Sequence, residues 1–273
     1  MIVKTLVENT SISEEYGHEH GLSLYIETKN HKVLFDVGAS DLFLQNAKKL
    51  GVTIADVDYL VISHGHYDHG GGLGAFLKEN YKAEVFLHQQ AFGKHYRLSA
   101  DGELGFIGLD DAPKQDKRII LTSGRLFINM QTQVFSNVVR KEPGSAWNAA
   151  LVMKKDGQTT ADAFTHEQNL VIEEDGKIFL FTGCAHNGIV NIIEHFHTLE
   201  GRMPDYVIGG FHLSSAVGGH EDLAMLDKLG KYLMDTKATY YTGHCTGIKP
   251  YERLKSVMGE QINYLATGSE TRL

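Results

Sequence analysis

His64-Gly65-His66-Tyr67-Asp68-His69-Gly70-Gly71-Gly72 directly follows the apolar run YLVIS at 59–63. The run is short and rich in Leu, Val, Ile and Tyr, which predicts a buried strand. In extended chain, residues two apart point the same way, so His64 and His66 can share one metal ion. The chain must then turn, and Gly70, Gly71 and Gly72 supply the freedom for it. That turn can carry Asp68 and His69 to a second ion. Nitrogen and oxygen donors suit zinc, with iron or manganese as alternatives. Three imidazoles and a carboxylate crowded into six residues without a cation would repel or desolvate one another.

Strands are predicted on both sides of this loop, at 2–7, 22–28, 32–37 and 83–88, with helices near 41–50 and 73–80. The stretch from about 90 to 130 has no clear period and reads as an insertion of turns and short elements, the kind of segment that forms lids or binding loops. Strands return at 134–140, 149–154, 170–174 and 177–181. Asp175-Gly176 between the last two signals a tight hairpin. Helices near 189–199, 221–235 and 250–257 then alternate with strands at 206–208, 238–242 and 262–265. Two β-rich halves with helices outside predict two sheets packed face to face, each covered by helices, in one domain over 1–273.

The 273 residues carry 26 Lys and Arg against 34 Asp and Glu, a formal charge of -8. That balance gives nucleic acid no electrostatic footprint. No apolar run is long enough to span a membrane, and no secretory h-region is visible. Two cysteines make no disulfide framework, so a reducing cytoplasm is the expected location. No G-x-S-x-G elbow or dinucleotide fingerprint is present. The 15 histidines are the departure from ordinary composition, and they are scattered rather than gathered in a tract.

Three more ligand-type positions fall where loops should follow strands: Cys184-Ala185-His186, Gly210-Phe211-His212 and Gly243-His244-Cys245. Ligand sites of α/β proteins gather at the carboxyl ends of strands. Each histidine alone is better explained by a capped loop. With the 64–69 cluster present, ligation becomes the better reading.

The loop SHGHYDHGGG at 63–72 resembles the signature of the metallo-β-lactamase superfamily. EHGLSLYIE near 19–27, KVLFDVG at 32–38, TGCAHNGIVNII at 182–193, GGFHL at 209–213 and TGHCTG at 242–247 are similar to one subgroup. Its members are the dihydropterin-6-methyl-4-(ribofuranosyl)aminobenzene 5′-phosphate synthase-like proteins, often described only as metal-dependent hydrolases. The likeness runs from about residue 2 to 265 and is weakest over 90–148. It implies a four-layer αββα sandwich with one or two zinc-type ions at the mouth between the sheets. It also implies His64, His66 and His186 on a first ion, and Asp68, His69 and His244 on a second. His166 is the rival for the third place in the first set. Where superfamily hydrolases often have TGD, with the Asp bridging two metals, this chain has Cys184, either a soft ligand or an inert buried thiol.

The expected activity is hydrolysis of a small anionic or phosphorylated metabolite. Asp68 would orient the attacking water, and His212 would protonate the leaving group or touch its anion. The alternative is a condensing synthase, which the resemblance implies for the subgroup and which needs the same ligands. A diiron oxygen-reducing role fits poorly, because His66 stands where those members carry Glu. A ligand sensor would be expected to have lost ligands. His18, His20 and His31 read as surface or gating residues, and His195 and His197 as helix positions that cannot share a face. His88, His95 and His220 are left unassigned, and Cys245 reads as a small packed residue.

Overall fold

The computed structural model describes residues 1–215 and 219–273. Two seven-stranded sheets form the body. The first runs, in spatial order, Glu270–Arg272, Ile2–Val7, Ser23–Glu27, Lys32–Phe35, Tyr59–Val61, Glu84–His88 and Ile119–Thr122. The second runs Ile262–Tyr264, Thr239–Thr242, Tyr206–Gly209, Lys177–Thr182, Asn169–Glu174, Thr132–Phe135 and Arg125–Phe127.

Side-chain alternation sorts each strand between two cores. Val33 and Phe35 point between the sheets, while Leu34 points out beneath a helix. In the facing sheet Phe179 and Phe181 point in, and Leu180 points out. The helices Leu42–Lys49 and Leu73–Glu79 cover the first sheet through Phe43, Ala47, Phe76 and Leu77. Three helices, Ile189–Glu200, Leu223–Asp235 and Ile248–Met258, cover the second through residues such as Ile192, Phe196, Leu226, Leu233 and Leu254. The layers are therefore αββα.

The stretch expected as an insertion over 90–130 is divided. Ile119–Thr122 is an edge strand of the first sheet, parallel to Glu84–His88, and Arg125–Phe127 is the edge of the second. Only Lys94–Leu98 and Leu104–Phe106 stand apart. They join Leu151–Lys155 and Gln158–Ala161 in a small four-stranded sheet. The Asp156-Gly157 turn of that sheet, both residues left-handed (φ 51° and 78°), is a hairpin signal of the same kind as Asp175-Gly176. The terminal strand Glu270–Arg272, antiparallel to Ile2–Val7, was also not expected from the sequence.

Parallel pairing sets the direction of the functional edge. Lys32–Phe35 runs parallel to Tyr59–Val61, and Lys177–Thr182, Tyr206–Gly209 and Thr239–Thr242 run parallel to one another. Asp36, His64, Cys184, His212 and His244 all lie just past the carboxyl ends of these strands. No helix among the described residues is long and apolar enough to cross a membrane.

Candidate metal centre

Four strand-end residues hold left-handed backbone without being glycine: Asp36 (φ 61°), Ala185 (55°), His212 (49°) and His244 (51°). Such conformations cost about 1 kcal/mol or more each and gather where a side chain must be aimed. Gly183 shows how tightly the two halves meet there. A Cβ at that position would lie 2.1 Å from Ser63 Oγ and 3.0 Å from His64 Nδ1.

Hydrogen bonds fix which nitrogen of each imidazole is free. His69 Nδ1 donates to Asp36 Oδ2 (2.7 Å), so its Nε2 carries the lone pair. Ser63 donates its hydroxyl to Asp36 Oδ2 (2.7 Å) and therefore accepts from His64 Nδ1 (2.8 Å), leaving His64 Nε2 as a lone pair. His244 Nδ1 donates to Asn9 Oδ1 (2.8 Å) and His186 Nδ1 to Asn148 Oδ1 (3.0 Å). All four Nε2 atoms thus present lone pairs, the arrangement that metal-binding histidines show with their outer partners. His64, His66 and His186 Nε2 are buried with no hydrogen-bond partner.

These lone pairs converge in two sets. Ligand-type atoms of His64, His66 and His186 lie within 4.8 Å of one another. In the second set His69 Nε2 is 3.1 Å from His244 Nε2. Asp68 Oδ2 is 3.4 Å from His244 Nε2 and 3.8 Å from His69 Nε2. Donors at 2.0–2.1 Å around a tetrahedral ion stand about 3.3 Å apart. Two lone pairs facing each other at 3.1 Å repel unless a proton or a cation lies between them. The donor set therefore fits a metal ion. Cys184 Sγ, 3.1 Å from His69 Nε2, stands on the same side of the cluster. Burial, then Cys245, raises its thiol well above the usual range, so the sulfur is held as a thiol, and a cation there would have to take the place of its proton.

The backbone of the loops is pinned by buried carboxylates. Glu167 accepts from the N–H of His186 (2.6 Å) and of Asn187 (3.0 Å). Glu8 accepts from the N–H of His244 (2.5 Å) and from Tyr264 (2.9 Å).

His166 does not present a lone pair to the cluster. Its Nδ1 accepts from the Gly65 N–H (2.9 Å), so its Nε2 carries the proton and turns to Asp162 Oδ2 (3.3 Å). His212 places its ring 4.3 Å from that of His186, and neither of its ring nitrogens has a partner.

His20, read from sequence as a surface or gating residue, sits on the cluster. Asn9 Nδ2 donates to His20 Nδ1 (3.2 Å), so His20 Nε2–H points at Asp68 Oδ2 (3.2 Å). One amide thus sets His20 and His244 to opposite tautomers. Burial alone would raise the Asp68 carboxyl, but the neighbouring imidazoles of His69, His20 and His244 outweigh it and hold it well below the usual range.

Sequence reasoning missed Asp36, Asn9, Asn148, Glu8 and Glu167. Asp36→Asn should weaken metal binding by about 10–100-fold, since one carboxylate orients a histidine of each set. Competition with a chromophoric chelator measures this, and unchanged affinity would remove Asp36 from that role.

Burial first, then neighbouring imidazoles, lowers His64 and His186 well below 6.5; burial, then His166, does the same for His66. Below pH 6.5 the unfolded chain therefore binds protons that these three sites refuse. Metal-free protein should lose stability as pH falls through 6.5, by up to roughly 1.4 kcal/mol per histidine per unit. His69 works the other way. Burial lowers it, but Asp36 and Asp68 raise it overall, and its contribution fades as pH rises through the folded value. Burial also lowers His88, His166 and His195, so six depressed histidines outweigh one raised one. Urea melts at pH 7.5 and 5.5 test the sign, and equal midpoints would contradict it.

The metallo-β-lactamase superfamily model matches residues 16–244. The chain belongs to this superfamily. Superfamily proteins bind metal ions, and the cluster above is able to hold one. The chain is 29% identical to an uncharacterized protein of Methanocaldococcus jannaschii over 94% of each chain. It is 27% identical to that organism's 7,8-dihydropterin-6-methyl-4-(β-D-ribofuranosyl)-aminobenzene-5′-phosphate synthase, over 97% of this chain and 94% of the relative. Among solved structures it is similar to Tm1679, a metal-dependent hydrolase of the β-lactamase superfamily, with a TM-score of 0.84 and 26% identity over 100% of this chain and 99% of the other. Human tRNase Z, short form, shares the fold at a TM-score of 0.54 and 15% identity, covering 100% and 99%.

Proposed function

We propose that the chain is a zinc-type metallohydrolase acting on a small anionic, phosphorylated metabolite. The observation that carries this is the pair of facing lone pairs, His69 Nε2 and His244 Nε2, 3.1 Å apart beside Asp68. His64, His66 and His186 form the first ligand set. Asp68, His69 and His244 form the second, with Cys184 at its side. A bound divalent cation supplies Lewis acidity and a water acidic near neutrality. The protein's own groups do the rest. Asp68, held by His20, accepts a hydrogen bond from the attacking water and orients it. His212, its ring nitrogens unpaired, donates a proton to the leaving atom or contacts its anion. Metal analysis of protein purified without added metal, followed by a screen over phosphodiesters, phosphomonoesters and lactones, tests the reading. Metal-free protein that takes up no divalent cation would overturn it.

The 27% identical synthase favours a second reading, condensation at the same centre. Incubation with a dihydropterin pyrophosphate and an aminobenzene ribosyl phosphate separates the two. Coupled product without ester hydrolysis would select the synthase.

A further inference from the structure

Arg97 lies on the small sheet that leans over the metal cluster. Its strand, Lys94–Leu98, aims His95 inward: His95 is fully buried and its ring stands 5.7 Å from that of His66. Residues two apart on a strand share a face, so Arg97 shares the face that looks onto the centre, about 7 Å further along. Opposite it on one side is Gly105, which has no side chain to fill the space.

The guanidinium is half-buried, and its surroundings do not neutralise it. Arg118, Arg125, Arg202, Arg253 and Arg272 each pair with a carboxylate. No carboxylate among the described residues lies in ion-pair range of Arg97. Its Nη2 donates instead to Ser215 Oγ (3.0 Å), on the segment that carries His212. The charge therefore spans the gap between the small sheet and the His212 segment. A guanidinium has five donors in a planar fork suited to carboxylate or phosphate, and partial burial without a counter-ion is costly. Arg140 also has no carboxylate in ion-pair range among the described residues, but its fork is taken up by Asn187 Oδ1 and the Ala163 carbonyl, whereas Arg97 is bonded to a single hydroxyl on a chain of net charge -8.

We propose that Arg97 forms a recognition subsite for a second anionic group of the substrate, a carboxylate or phosphate roughly 7 Å beyond the reacting atoms. This rests on the metal-centred reading above. It makes the substrate a molecule with an anionic group remote from the bond that is broken.

The test uses two non-hydrolysable probes on metal-loaded protein, phenylphosphonate and 4-carboxyphenylphosphonate, with binding read by calorimetry. Wild type should prefer the carboxylated probe by about 10–100-fold. Arg97→Met and Arg97→Gln should abolish that preference, with metal content and phenylphosphonate affinity unchanged. Arg97→Lys should restore only part of it, because an ammonium lacks the fork. Equal affinities in wild type, or a preference that survives in either neutral variant, would overturn the proposal. The hydrolase reading fails separately: a protein that shows the Arg97-dependent preference yet hydrolyses no ester keeps the subsite and loses the activity. One that hydrolyses esters without the preference does the reverse.

Discussion

His64→Ala protein should lose one metal equivalent and at least about 10³-fold in kcat/KM, the factor that several kcal/mol of lost electrostatic stabilisation implies. His64 is fully buried, and its lone pair is aimed by a chain of two bonds, Nδ1 to Ser63 and Ser63 to Asp36. Removing it leaves His66 and His186, two donors where a catalytic ion usually has three. The fold should survive, because His64 lies at the strand edge outside the three apolar cores. Elemental analysis beside a thermal melt separates the two effects. A folded variant with its full metal complement would show that the first set is not a metal site. His244→Ala should behave alike for the second set, where Asp68 and His69 would remain beside Cys184.

The part of the centre that could be read from sequence is the part that is local or ends a strand. His64, His66, Asp68 and His69 are consecutive enough for period and turn chemistry to place them. His186 and His244 follow apolar runs, and strand ends gather ligands. The residues that aim these groups have no such signal. Asp36 lies 33 residues from His69, Asn148 lies 38 from His186, and Asn9 lies 235 from His244. Asp and Asn are common, and only pairing of the strands brings them into register. His20, expected at the surface or at a gate, is partly exposed and also touches Asp68 directly, a contact made by a turn that period analysis does not resolve. The 90–130 stretch failed differently. Ile119–Thr122 and Arg125–Phe127 are edge strands of four and three residues, too short to show alternation.

The same distribution explains why strain and charge coexist at this edge. Asp36, Ala185, His212 and His244 hold unfavourable backbone, and His64, His66 and His186 hold depressed imidazoles, all against three continuous apolar cores. The cores supply the stability and the edge spends it on aiming donors. Metal binding should return part of that cost, so holo protein should melt higher than metal-free protein by RT ln(1 + [metal]/Kd) in free energy. A melting point indifferent to divalent cations would break this link between strain and ligation.

His212→Ala should leave metal content intact while lowering kcat by about 10²–10⁴-fold, the range for loss of a general acid. His212 differs in its bonds from four of the five histidines of the proposed ligand sets. Each of His64, His69, His186 and His244 has its Nδ1 tied to a named acceptor, whereas both ring nitrogens of His212 are free of partners. Its place is fixed instead by backbone, through the left-handed φ of 49° and the N–H donated to Cys245 Sγ (3.2 Å). A ligand needs an aimed lone pair, but a proton donor must exchange tautomers during turnover, and an untethered ring permits that. The rival role is ligation, since ligand-type atoms of Cys184, His186 and His212 lie within 4.8 Å of one another. The two roles part on one measurement. Loss of a metal equivalent in His212→Ala would move His212 into the ligand set. Intact metal with activity lost for poor leaving groups, and largely retained for good ones, would identify the proton donor, because only a poor leaving group needs protonation as it departs.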